Sequence, residues 1–289
     1  MRSLSFIINS NLFIAFAAVT LTMATQVQLD EKPQFQFYIA AIFFATLLEY
    51  NFHRLISVNN NKEAFPVEKN NWASGHLPII KVLILSSIAG LVFSMLFVSI
   101  SIIIAFGLLS VFTFFYSAEN FGKNKILFGY KGITGMKTIA IAFVWATITV
   151  YLPVLHLDTG FDTVKIFLLF AQRFAFIFAI AIPFDIRDMD TDSRAGTKSL
   201  PIVFGSRLSV QIANFALLLS LIISIVEYFR SEQPWVFLAC LLSVSFTSIV
   251  INSRKIKNMP FYYHGILDGC LVLYGLLIWL SYYLGGFPN

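Results

Sequence analysis

The chain has 289 residues, 58% of them hydrophobic and only 12% charged, with a formal net charge of +5. Soluble globular domains carry about 25% charged residues, so water alone would not solvate a surface of this composition. The composition therefore excludes a soluble globular domain and predicts apolar surface that faces lipid or another protein. We expect no nucleic-acid partner.

Nine apolar segments follow one another along the chain, each about as long as a membrane-spanning helix, which needs about 20 mainly apolar residues. Helices are expected because every backbone polar group must be hydrogen-bonded within the segment when lipid surrounds it. One apolar run, from Val82 to about Ser117, is too long for a single helix, so we place a break near Ser99–Ser101. The predicted spans are 10–28, 35–51, 78–97, 100–118, 136–155, 164–183, 208–228, 234–252 and 264–284.

Lysine and arginine are concentrated in the loops on one side of this predicted bundle. Loops rich in Lys and Arg remain in the cytoplasm, so we predict that these loops are cytoplasmic and hold the polar function. The opposite loops are short and carry only Lys32, Lys165 and Arg230. The basic loops are 52–81, 117–137, 185–207 and 253–263.

The stretch 183–205, directly after the sixth predicted span, reads PFDIRDMDTDSRAGTKSLPIVFG. Asp185, Asp188 and Asp192 are three and four residues apart, so they fall on one face of a helix. Like charges placed in this way repel one another unless a cation neutralises them, and carboxylate oxygens are suitable ligands for Mg²⁺. The alternative is a solvated, charged loop that ends a membrane helix. The position at the membrane boundary, where ionised groups are costly, favours a functional site.

This stretch resembles the second aspartate-rich motif of the UbiA superfamily of intramembrane prenyltransferases, in which acidic residues are followed by a glycine and a T-L-P-like segment. The resemblance implies an all-α, multi-pass bundle of about nine helices, one domain over residues 1–289, in a membrane of the bacterial inner-membrane type. It also implies Mg²⁺-dependent transfer of a polyprenyl group from its diphosphate to an aromatic or lipid acceptor. Asp185, Asp188 and Asp192 would be the catalytic metal ligands. The candidate diphosphate-binding residues are Arg54, Lys131, Lys137, Arg187 and Lys198.

The first aspartate-rich motif of the family is degenerate in this chain. The corresponding segment, 48–57, reads LEYNFHRLIS and has Tyr50, His53 and Ser57 where the family has aspartates. Glu49, Asn51 and His53 remain as possible weak ligands. The resemblance therefore predicts that basic residues supply part of the charge neutralisation that magnesium ions otherwise provide.

Three functions are compatible with these patterns. The first is an active prenyltransferase, which depends on the second motif. The second is a catalytically inactive relative that binds an isoprenoid lipid or assists a partner, which depends on the degenerate first motif. The third is a transporter or channel, which would have interrupted helices in two repeats, and the sequence has no convincing repeat.

Overall fold

The computed structural model describes residues 2–59, 72–118, 134–157, 160 and 162–285, and every regular element within these ranges is a helix. The helices form two compact units, Met1–Val98 with Arg254–Asn289, and Ser99–Ser253. The prediction that residues 1–289 form one domain stays a prediction. In chain order the helices are α1 (Arg2–Asn9), α2 (Leu12–Gln28), α3 (Phe37–Asn59), α4 (Leu77–Met95), α5 (Ile100–Ala118), α6 (Met136–Leu157), α7 (Thr163–Arg187), α8 (Met189–Arg194), α9 (Leu200–Ser231), α10 (Pro234–Asn252), α11 (Arg254–Lys257) and α12 (Tyr262–Leu284).

In the first unit, α2 packs against both α3 and α12, and α3 packs against α4. Small residues allow helices in a membrane to approach closely, and Gly275 on α12 is such a residue. A Cβ atom at Gly275 would lie 2.5 Å from the backbone carbonyl carbon of Thr20 on α2. The closeness of α2 and α12 therefore depends on the absence of a side chain at position 275.

In the second unit, α7 packs against α6 and α9, and α9 also packs against α10. Polar groups join the two longest helices: the Gln172 amide on α7 donates to the Ser224 hydroxyl on α9, and the Ser220 hydroxyl donates to the Gln172 carbonyl at 3.2 Å. Such bonds satisfy polar groups that have no access to water. They hold α7, which carries the acidic motif, in a fixed position within this unit.

The predicted multi-pass, all-α architecture is confirmed. Seven of the described helices are long and apolar enough to cross a membrane, and the two shorter apolar helices, Leu12–Gln28 and Ile100–Thr113, lie at the other two predicted spans. The predicted break in the long apolar run is also confirmed, because α4 ends at Met95 and α5 begins at Ile100. The chain is an integral membrane protein, and the cytoplasmic placement of its basic loops stays a prediction.

The seventh span begins earlier than the sequence indicated. Helix α9 begins at Leu200 rather than at residue 208, with Pro201 in its first turn, where a missing backbone N–H is tolerated. Gly205 interrupts the helical backbone with φ 77° and ψ 159°, a conformation that favours glycine. The predicted start was wrong because polar residues follow the short helical segment 200–204. The apolar run therefore begins only at residue 208.

Candidate functional site

The acidic motif lies where α7 ends and the chain turns into α8. Helix α7 ends at Arg187 because Asp188 has φ −91° and ψ 8°, which departs from helical geometry. The chain stays close to a helical path, since the Asp192 N–H donates to the Asp188 carbonyl at 2.8 Å. Asp185 and Asp192 are buried, with 2% and 9% of their surface exposed, whereas Asp188 is half-buried, with 19% of its side chain exposed. The three acids thus surround one bend rather than lining one straight helix.

Lys137 is brought to this bend by the first turn of α6. The residue before α6, Gly135, has φ 74°, and a Cβ atom there would lie 3.0 Å from Leu200 Cδ2, so only glycine fits without strain. The Gly135 N–H donates to the Lys198 carbonyl at 2.9 Å. This bond ties the start of α6 to the segment between α8 and α9, and so fixes Lys137 beside the motif.

The Lys137 ammonium lies between the three carboxylates. Its Nζ is 3.4 Å from Asp185 Oδ1, 3.8 Å from Asp188 Oδ2 and 3.1 Å from Asp192 Oδ2. The Thr138 hydroxyl donates a short hydrogen bond to the other oxygen of Asp185. The ammonium therefore reduces the repulsion between the three acids.

Arg187 forms a second cation–carboxylate contact within the motif. Its Nε and Nη2 donate to the two oxygens of Asp188 at 2.7 and 2.9 Å, a bidentate arrangement that orients the carboxylate as well as neutralising it. The guanidinium also lies 5.1 Å from the centre of the Phe184 ring. Asp188 therefore contacts two cations, Lys137 and Arg187. Asp190, the fourth acid of this stretch, is exposed.

Carboxylate oxygens are ligands that a divalent cation prefers, and in this cluster they approach the Lys137 ammonium from three residues. Within the described ranges, no three His, Cys, Asp or Glu side chains are arranged as a metal-binding group. Asp185, Asp188 and Asp192 are thus grouped around a lysine.

Five of the predicted site residues lie together in the structure: Lys137, Asp185, Arg187, Asp188 and Asp192. The prediction that Lys137 binds diphosphate stays a prediction, and in the structure Lys137 contacts the acids. Sequence reasoning missed Thr138 altogether. The only sequence signal for both was a Lys-Thr pair after a glycine at the start of a span. The Lys198 side chain is exposed, and the backbone carbonyl of Lys198 accepts the hydrogen bond from the Gly135 N–H. Lys131 lies outside the described residues.

The degenerate first motif lies on α3, in the other unit. His53 Nε2 is 2.7 Å from Glu49 Oε1, one helical turn earlier. The Asn51 amide donates to the carbonyls of Ser10 and Leu47 at 3.1 and 2.9 Å. Asn51 and His53 are therefore already engaged with protein groups. Among the residues that the structure describes, this segment has the character of a structural hydrogen-bond network rather than of a metal site.

Arg54, the predicted diphosphate ligand on α3, is buried with 3% of its surface exposed. Its Nη2 donates at 2.7 Å to Oδ1 of Asn11, a residue that lies between α1 and α2 with φ 64°. The left-handed conformation of Asn11 is one that asparagine adopts more readily than most residues. Sequence reasoning missed Asn11, because the residue lies far from the motif along the chain.

The sequence matches the model of a known protein family and, over part of its length, a curated protein. The model of the UbiA prenyltransferase family matches residues 69–260. A digeranylgeranylglyceryl phosphate synthase from Natronomonas pharaonis is 27% identical over 113 residues, which are 39% of this chain and 40% of that protein. The match thus spans about two fifths of the curated relative.

Solved structures share the fold at low sequence identity. A UbiA homologue from Archaeoglobus fulgidus bound to GPP and Mg²⁺ has a TM-score of 0.62 at 13% identity, covering 94% of this chain and 98% of its own. The apo structure of a UbiA homologue from Aeropyrum pernix K1 has a TM-score of 0.61 at 11% identity, covering 93% and 97%. The family model matches most of the chain, and the helical architecture is shared with solved members. The chain therefore belongs to the UbiA prenyltransferase family.

Proposed function

We propose that the protein transfers a polyprenyl group from its diphosphate to an aromatic or lipid acceptor within the membrane, in a Mg²⁺-dependent reaction. The observation that carries the proposal is the convergence of Asp185, Asp188 and Asp192 on one cationic centre at the end of a membrane helix. The Archaeoglobus fulgidus homologue was solved with GPP or DMAPP and Mg²⁺, which supports the same substrate and ion classes here.

Asp188 and Asp192 would hold Mg²⁺, since 19% and 13% of their side chains are exposed, whereas the Asp185 side chain is only 2% exposed and is bonded to Thr138. When bound, the ion would neutralise negative charge that develops on the departing diphosphate. The Lys137 ammonium has three N–H donors and already lies at the carboxylates. When a cation takes its place, Lys137 would donate to diphosphate oxygens instead, and Arg187 would continue to orient Asp188.

A row of aromatic rings on α7 leads away from the acidic motif. Phe174 and Phe178 lie eleven and seven residues before Asp185, which places all three on one face of the helix. The Phe174 ring stacks on Phe178 with centroids 5.9 Å apart and on Phe170 with centroids 6.3 Å apart. This row would contact the prenyl chain, exclude water, and stabilise an allylic cation through the faces of the rings.

The second candidate function is a catalytically inactive relative that binds isoprenoid lipid or assists a partner. Two observations favour it: Tyr50, His53 and Ser57 replace the aspartates of the first motif, and Lys137 already neutralises the carboxylates of the second. Such a protein would bind a prenyl diphosphate and would not break its carbon–oxygen bond.

Transfer of radiolabelled prenyl groups in membranes that contain the full chain tests the proposal. Prenyl diphosphates of several lengths are supplied as donors, with a glycerol phosphate lipid or an aromatic quinone precursor as acceptor. The expected result is labelled lipid product that requires Mg²⁺ and is lost in Asp188→Ala and Asp192→Ala but retained in the matched control Asp190→Ala. Activity that survives both substitutions would refute the assigned site, and binding without any product would favour the inactive relative.

A further inference from the structure

The N-terminal helix α1 is separate from the membrane helix α2 that follows it. Between them, Asn11 has φ 64° and ψ 10°, a left-handed conformation that ends a helix, so α1 does not continue along the axis of α2. The Ser10 N–H donates to the Phe6 carbonyl at 2.8 Å, and the Asn11 N–H donates to the Ile8 carbonyl at 3.3 Å. Helix α1 packs against both α2 and the first turns of α12. It therefore lies at the end of the first unit where these two membrane helices begin.

The apolar side of α1 is covered by protein only in part. Leu4, Ile7 and Ile8 are three or four residues apart, which places them on one side of the helix. Ile8 is 4% exposed and packs where α12 has no side chain, since a Cβ atom at Gly265 would lie 3.2 Å from Ile8 Cδ1. Within the described part of the chain, Leu4 and Ile7 stay 57% and 40% exposed. The apolar side of α1 thus continues beyond its contact with the protein.

The other side of α1 is polar and carries little charge. Ser5 and Asn9 are one helical turn apart, and the Asn9 amide donates to the Ser5 hydroxyl at 3.1 Å. Arg2 is the only charged residue in the sequence of the helix. An apolar side opposite a polar side is typical of a helix that lies in the plane of a membrane surface. With a single charge, apolar burial rather than attraction to anionic headgroups must hold such a helix at the membrane.

Trp72 indicates the depth at which α1 lies. The Phe6 ring meets the Trp72 ring edge-on with centroids 6.2 Å apart, and Trp72 stacks on His76 with centroids 4.5 Å apart. His76 directly precedes the membrane helix α4, which begins at Leu77. Tryptophan is enriched where lipid meets water. Helix α1 therefore contacts the chain at the level where a spanning helix enters the bilayer.

We propose that α1 lies in the plane of the bilayer, at the boundary between headgroups and acyl chains, with Leu4 and Ile7 among the acyl chains. Its eight residues are about 12 Å long, which is too short to cross a hydrocarbon core of about 30 Å. So short a helix is also unstable in water, and burial of its apolar side in lipid stabilises it. Its partner is thus the same lipid that faces the neighbouring membrane helices.

Fluorescence quenching of a label on α1 tests the inference, with the full-length protein in nanodiscs. An NBD label is attached through Leu4→Cys, Ile7→Cys or the matched control Ser5→Cys, and the unsubstituted chain, in which both cysteines are buried, gives the background. Labels at positions 4 and 7 should be quenched about twofold or more strongly by a doxyl group on the fifth acyl carbon than by one on the twelfth, because an in-plane helix lies shallow in the leaflet. The label at position 5 should be quenched mainly by iodide in water.

The lipid composition separates acyl burial from headgroup binding. Nanodiscs of phosphatidylcholine alone and nanodiscs with added phosphatidylglycerol should give the same quenching at positions 4 and 7, since α1 carries one charge. Quenching by lipid only when phosphatidylglycerol is present would overturn the inference, because an anionic headgroup would then be the partner.

A charge on the apolar side provides a second readout. In the Leu4→Cys protein, Ile7→Asp should raise iodide quenching of the label at position 4 to the level found at position 5, because an aspartate does not enter the acyl region. The matched Ser5→Asp should leave the label at position 4 in lipid. Equal iodide quenching at positions 4, 5 and 7 without added substitutions would overturn the inference. Disulfide cross-linking of Ile7→Cys between two copies, with no quenching by lipid, would also overturn it, since a second copy would then cover this side.

Discussion

Replacing Lys137 with methionine is expected to destabilise the protein by removing the cation that three carboxylates share. At 3.4 Å and an effective dielectric constant of about 20, the attraction between the Lys137 ammonium and the Asp185 carboxylate is about 5 kcal/mol. Much of that attraction is offset by the loss of hydration, and removing one partner of a buried pair lowers stability by about 3–5 kcal/mol. Because the Lys137 side chain is still 25% exposed, we expect a value near the lower end, about 3 kcal/mol.

The free energy of unfolding of Lys137→Met, measured by SDS titration in detergent micelles, provides the test. The exposed Lys257→Met is the matched control and should change little. The double variant Lys137→Met/Asp185→Asn should regain most of the lost stability, because an amide needs no counter-ion and can still accept from Thr138. If Lys137→Met is as stable as the control, the ammonium does not neutralise the cluster and the electrostatic reasoning is refuted.

Two further predictions concern residues at close contacts. Arg187→Lys keeps the charge but loses the bidentate contact with Asp188, so it should lower the free energy of unfolding by about 1 kcal/mol in the same titration, and an unchanged value would contradict the geometry. Gly275→Ala should lower the free energy of unfolding by about 1–3 kcal/mol, since its Cβ would lie 2.5 Å from Thr20. The control Gly107→Ala, whose Cβ would meet no atom within 4 Å, should leave the free energy of unfolding unchanged. Equal effects of the two variants would refute the close approach of α2 and α12.

The positions of the membrane helices could be predicted because lipid imposes a minimum length on apolar segments. This held even at the run from Val82 to about Ser117, where the excess length required a break, and the chain does break between Met95 and Ile100. The start of α9 was missed because its first segment, residues 200–204, is too short to be recognised as part of a membrane-spanning helix, and Gly205 interrupts the helix directly after it. Hydrophobic length thus gives the spans, while local backbone geometry sets their ends.

The candidate site could be predicted only in part. The spacing of Asp185, Asp188 and Asp192 indicated a shared cation, since acids this close along a helix must be neutralised. The spacing carried no information about the lysine that lies among the acids, because Lys137 comes from another helix. In the same way, the bond between Asn11 and Arg54 joins residues 43 positions apart, and no local pattern predicts such a contact.

The binding of a divalent ion against a diphosphate is the central claim, and manganese electron paramagnetic resonance tests it most directly. Mn²⁺ replaces Mg²⁺, and a non-hydrolysable prenyl thiolodiphosphate is added to the full-length protein in nanodiscs. The account predicts a protein-bound Mn²⁺ signal that requires the diphosphate in the wild type, persists in Asp190→Ala, and disappears in Asp192→Ala. A bound signal of equal strength in Asp192→Ala, or no bound signal in the wild type, would contradict the account.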